Sequence, residues 1–233
     1  MGVNGVQAVS LLVVVSDIVS SRALEASRRQ ALQEWIVALA PGPLQFRFTG
    51  GDEFEWVLPD AAESLDTLLR LRATLGAGDE ARGLPGVGLR CGIGRGAVTV
   101  RSERGPYAED GPAYHRARAA YERMRAASTR RRRSFQRPFE PRSEPERRRT
   151  VIDDGHEDPP RDALLAFMDE LLVGWKRTSW EAIALALGGA RYEDAAAALG
   201  ISVPAFYKRL ESARLNSYLV GHQALKAAWR PHG

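Results

Sequence analysis

Apolar residues follow mixed strand and helix periods up to residue 127, lose their period over 128–161, and return with a purely helical period from 162 onward. Within the first stretch, Val9 to Val15 is an unbroken run expected to form a buried strand, ending close to Asp17. A helix follows from Ala23 to Ala40, stopped by Pro41-Gly42-Pro43, and then a hairpin from Phe46 to Leu58. The pattern continues with a helix from Ala61 to Leu75, a Gly-rich loop, strands over Gly88–Gly94 and Ala97–Arg101, and a helix from Pro112 to Ala127.

This strand–helix–strand–strand–helix–strand order predicts an α+β fold with a ferredoxin-like core over residues 1–127. Residues 128–161 read as a disordered Arg/Pro-rich linker, and residues 162–233 as a small all-α domain. There, helices over Asp162–Trp175 and Ser179–Leu187 lead into RYEDAAAALGISVPAFYKRLESARL. Ala196, Gly200 and Phe206 take the small, turn and hydrophobic positions of a helix-turn-helix, with Leu199 and Leu210 completing its core. Ser202 is placed to cap the second helix and Pro204 to start it. Outward positions on that helix are Ser202, Ala205, Tyr207, Lys208 and Arg209, with Arg214 near the DNA backbone. The alternative reading is a trihelical packing or dimerisation domain.

The chemistry concentrates where two elements end. LLVVVSDIVSSR carries Asp17 at a strand end, and RFTGGDEFEWVL carries Asp52 and Glu53 at a Gly-Gly turn. Side by side, the two strands bring Asp17 and Asp52 together, and carboxylates that close repel unless a divalent cation lies between them. Mg²⁺ or Mn²⁺ with a nucleoside triphosphate is therefore the expected cofactor set, with Gly50 and Gly51 letting polyphosphate approach the backbone. Arg22 either meets phosphate or faces water. His115 reads as a surface or packing residue, and Asp110 as a helix cap.

The net charge of +4 is local. Residues 1–127 balance 15 basic against 15 acidic side chains, residues 128–150 hold nine Arg against three Glu, and residues 151–162 swing to −4. The Arg-rich stretch is either a plain tether or an arm that binds phosphate without reading sequence. With only three Lys, all beyond residue 175, a triphosphate in the first half must rely on metal, backbone N–H groups and Arg. The single Cys91 excludes an internal disulfide and reads as a buried strand thiol. No apolar run approaches the roughly 20 residues a membrane helix needs. No leader pattern opens the chain, so a cytoplasmic location is expected.

GGDEF at Gly50–Phe54 is the signature of diguanylate cyclase domains, and GIGRGAV with DGPAYHRAR resembles the core of class III nucleotide cyclases. Together with SDIVSSR and the helix-turn-helix, in this order, they resemble the SatD family over nearly the whole chain. The resemblance implies metal ligation by Asp17, Asp52, Glu53 and the Ile18 carbonyl. It also places Arg118 at a transition-state position and Tyr114 where the cyclases carry an Asn. It further implies a homodimer, since palm cyclases complete a site from two subunits. The helical module resembles the LuxR and sigma-factor region 4 type. The reading that results is a nucleotide- and metal-binding, DNA-binding regulator with little turnover. The alternative is an active nucleotidyl cyclase whose helical part serves dimerisation or targeting, and a third is a structural adaptor with a decayed site.

Overall fold

The computed structural model describes residues 7–19, 21–39, 45–100, 110–129 and 149–229. Its centre is a five-stranded sheet of β1 (Gln7–Ile18), β2 (Gln45–Gly50), β3 (Glu53–Pro59), β4 (Leu89–Val100) and β5 (Thr150–Asp153). The order is β2-β3-β1-β4-β5, antiparallel throughout except for the parallel pair β4–β5.

Both faces are covered, so β1 is apolar at consecutive positions and does not alternate. Leu12, Val14, Phe54, Trp56 and Leu58 pack under helices α1 (Ala26–Leu39) and α2 (Glu63–Ala77). Leu11, Val13, Val15 and Val57 pack against α3 (Pro112–Thr129) on the other face. That second contact is close because β4 offers glycines: a Cβ on Gly94 would lie 2.1 Å from the Ala113 carbonyl, and one on Gly92 2.4 Å from the Tyr121 amide. The Gly94-Arg95-Gly96 stretch, expected to separate two strands, therefore lies inside one continuous strand.

Between residues 159 and 227 the regular elements are all helices, as their period predicts. They are α4 (Pro159–Val173), α5 (Arg177–Leu187), α6 (Tyr192–Ala198), α7 (Val203–Ser212) and α8 (Leu215–Ala227). These helices do not form a separately tethered unit. Leu69 and Ala73 of α2 share a core with Trp180, Ile183 and Phe206, while Leu165 and Leu225 join the core under the sheet. Polar clamps reinforce the join. Asp169 on α4 accepts the Arg149 and Thr150 amides at 2.7 and 2.9 Å. Asp66 on α2 meets His222 Nε2 at 2.7 Å and also takes Lys226. Asp60 accepts from Arg95 Nε at 2.8 Å and Trp229 Nε1 at 3.1 Å, with the Arg95 guanidinium stacked 3.9 Å over the Trp229 ring.

The linker expectation over 128–161 is corrected at both ends. Residues 128 and 129 still belong to α3, Thr150–Asp153 is the fifth strand, and Pro159 begins α4. Residues 130–148, the Arg-rich part, lie outside the described residues. Among the described residues no helix is long and apolar enough to cross a membrane.

Candidate functional site

Strand register decides which side chains meet at the end of β1. Asp17 stands opposite Glu53 on β3 and opposite Arg90 on β4, and directly opposed residues share a face. All three therefore point into the α3 layer. Arg90 closes on the buried Asp17 carboxylate with two donors: Nε reaches Oδ1 at 2.8 Å, and Nη2 reaches Oδ2. Those hydrogen bonds raise the Arg90 pKa above its ordinary value against the opposing effect of burial, and the charges of Asp17 and Asp52 add to the rise.

The hairpin turn seats its acid beside β1. Gly51 has φ +58°, which an L side chain adopts only with strain, and a Cβ at Gly50 or Gly51 would meet nothing within 4 Å. The outer side of this turn is open, and Gln33 from α1 donates to the Gly51 carbonyl beneath it. The Ile18 amide donates to the Asp52 carbonyl at 3.2 Å, which ties the end of β1 to the turn. The Asp52 carboxylate accepts Ser21 Oγ, from a short 3₁₀ turn over Ser21–Ala23. The Arg22 side chain lies outside the described residues.

Helix α3 supplies the roof. Arg118 Nη2 lies 2.8 Å from Glu53 Oε1 and 3.9 Å from Glu55. Burial lifts the Glu53 carboxyl, but bonds from Arg118 and Thr49 outweigh it and hold the pKa below the usual carboxylate value. Arg47 engages Glu55 from β2 at 2.6 Å. The Tyr121 pKa is driven upward by burial first and then by the charges of Asp17 and Glu53. Tyr114 is buried nearby, and burial and the Glu55 charge raise its pKa too, so both phenols keep their protons.

The cluster thus brings Asp17, Ile18, Gly50, Gly51, Asp52, Glu53, Tyr114 and Arg118 to one end of the sheet. It adds Arg90, Ser21, Tyr121, Arg47 and Glu55, which sequence reasoning missed. The Asp17–Arg90 pair had no local signal, because the two are 73 residues apart and only the β1–β4 register joins them. Among the described residues no group of three or more His, Cys, Asp and Glu side chains is disposed to hold a metal ion. The donors fit a metal unequally: Asp17 has both oxygens engaged by a cation, whereas among the described residues Asp52 is hydrogen-bonded by the neutral Ser21 hydroxyl on Oδ2. His115 is exposed, 3.3 Å from Asp110, and Asp110 accepts the Gly111 amide at 2.8 Å.

The second constellation lies on α6 and α7. Gly200 turns at φ +64°, and the Ile201 amide returns to the Ala196 carbonyl at 3.0 Å, which closes α6. Ser202 Oγ accepts the Ala205 amide at 3.3 Å and caps α7, whose inner face holds Phe206 and Leu210. Tyr207 and Lys208 face outward, Tyr207 edge-on to Tyr192, while Ala205 is half-buried. Arg209 departs from the expected outward position: its Nη1 is drawn back to Glu181 at 3.3 Å and the Thr178 carbonyl at 3.4 Å, bracing α7 on α5. Arg214 is exposed at φ 51°, at the corner between α7 and α8. Comparison of the chain with protein-family models, with curated proteins and with solved structures gives no match.

Proposed function

We propose that this chain is a cytoplasmic, nucleotide-responsive DNA-binding regulator: a ferredoxin-like palm that binds a nucleoside triphosphate with a divalent cation, joined to a helix-turn-helix reader and acting as a homodimer. The observation that carries the reading is the 3.2 Å bond from the Ile18 amide to the Asp52 carbonyl, which sets the two aspartate-bearing ends side by side beside an open Gly-Gly turn. The β2-β3-β1-β4 order, with α1 and α2 on one face, supports the palm. The order of motifs resembling the SatD family and the nucleotide cyclases supports the ligand class.

Within this reading the open turn at Gly50 and Gly51 admits the phosphates to the backbone. Arg118 lies beside Glu53, within reach of an anion at the turn. A divalent ion, when bound, supplies charge neutralisation between the phosphates and Asp52. The exposed Lys208, Tyr207, Ser202 and Arg214 side chains form the DNA-facing edge of α7. Tyr114 lies buried, holding its proton, where a cyclase places a polar transition-state donor. Binding without appreciable turnover is the outcome this favours.

Thermal unfolding with each NTP and Mg²⁺ tests the ligand. A hundredfold excess over the dissociation constant stabilises a binding protein by about 2.7 kcal/mol, and Asp52→Asn is expected to remove that shift while leaving the apo protein folded. Conversion of the NTP to a cyclic or dinucleotide product, followed by chromatography, would establish a cyclase in its place.

A further inference from the structure

We infer that Arg90 is a built-in counter-cation which fills one of two cation positions at the palm, so that the site takes a single divalent ion, on Asp52. The inference rests on the nucleotide-binding reading above and concerns what that site accepts.

The argument begins with geometry. A two-ion centre needs both aspartates to offer oxygens to metal. Here both Asp17 oxygens are held by the Arg90 fork, the bidentate pairing in which guanidinium and carboxylate shapes match best. The fork is built in by the fold, since Asp17 and Arg90 are register partners on adjacent central strands. Asp17 is 5% exposed, and a buried carboxylate in a sheet requires a permanent partner. The buried Tyr121 on α3 lies close enough to Asp17 for that charge to raise its pKa after burial.

The surrounding charges point the same way. Arg149, just before β5, has its pKa lowered by burial first and then by the Arg90 charge. A divalent ion arriving at Asp17 would face the Arg90 guanidinium head-on. Among the described residues the Asp52 carboxylate is hydrogen-bonded by the Ser21 hydroxyl and by no guanidinium, beside the open face of the Gly-Gly turn. With one position filled by a fixed guanidinium, ligand phosphates can still be neutralised, but the second ion of a two-metal displacement has no place. Retained binding and absent turnover then have one common origin.

Counting bound Mn²⁺ per chain tests this. Free Mn²⁺ is read by electron paramagnetic resonance during titration of the full chain, without nucleotide and again with a methylene-bridged ATP or GTP analogue. Arg90→Gln should bind one more Mn²⁺ per chain than the wild type, and Mn²⁺ should restore thermal stability that this variant lacks in chelator. Arg90→Lys, which keeps a cation, should match the wild-type count. Should Arg90→Gln fail to fold, the Asp17→Asn/Arg90→Gln double variant removes both charges and should also show the wild-type count. Two Mn²⁺ in the wild type, or equal counts in the wild type and Arg90→Gln, would overturn the inference. A wild type that binds neither nucleotide analogue would instead sink the functional proposal, while an extra ion in Arg90→Gln would still uphold the role of Arg90.

Discussion

Asp60 shows how one carboxylate can hold distant parts of the chain together. Burial lifts its pKa, but hydrogen bonds from Arg95, Ser10 and Trp229 and the Arg95 charge outweigh that and leave it below the ordinary value. Asp66 is likewise held low by Lys226 and His222 against burial. A depressed carboxylate pKa stabilises the fold above the unfolded-state value of about 3.9 and loses that contribution as pH falls through the folded value. Thermal midpoints are therefore expected to drop steeply from about pH 5 downward. The Asp60→Asn/Asp66→Asn variant, weaker at neutrality, should show a flatter acid limb; parallel curves would show that other groups govern acid unfolding. On α7, Lys208→Ala should weaken specific DNA binding by about 1 to 3 kcal/mol in fluorescence anisotropy. Arg209→Ala should act through stability, because its guanidinium grips Glu181 and the Thr178 carbonyl. An Arg209→Ala protein with an unchanged melting point and lost base discrimination would restore its reading role.

At the scale of elements, the sequence made long apolar runs legible and left pairings between distant strands unseen. Val9–Val15, the Phe46–Leu58 hairpin and the helices over Asp162–Trp175 and Ser179–Leu187 emerged close to their observed bounds because period and flanking breakers are local signals. The four-residue β5 was missed because it follows an Arg/Pro-rich run and leads into acidic residues; it is a strand through its ladder to β4. Gly94 and Gly96 read as punctuation, yet at Gly94 the missing side chain lets α3 rest on the strand backbone. Gly94→Ala should thus destabilise by about 1 to 3 kcal/mol or more, the range for overpacked cores. Since α3 carries Arg118, the same change should weaken nucleotide binding. Denaturant titration paired with a nucleotide thermal shift checks both, and a neutral Gly94→Ala would contradict the close seating of α3.

At the scale of the whole molecule, α2 is shared property. It starts directly after β3, whose other end abuts the Asp52 turn, and it packs Gly76 against the Trp180 ring of α5, on which α7 rests. A ligand that shifts β3 therefore has a continuous packed route to α7, and any coupling carried along it must be reciprocal, typically about 1 to 3 kcal/mol. Saturating NTP and Mg²⁺ should change DNA affinity, and operator DNA should change nucleotide affinity by the same factor; unchanged DNA affinity at saturating nucleotide would reject the coupling. Because β5 lies beyond the Arg-rich residues 130–148, that segment connects α3 to a strand of the sheet on which α3 packs and does not lead to a free-standing module. The chain can accordingly be written as two genes. Residues 1–129 and 149–233, co-expressed as separate polypeptides, should find each other through the β4–β5 ladder and the Asp66 and Asp60 clamps, and co-purify as one particle.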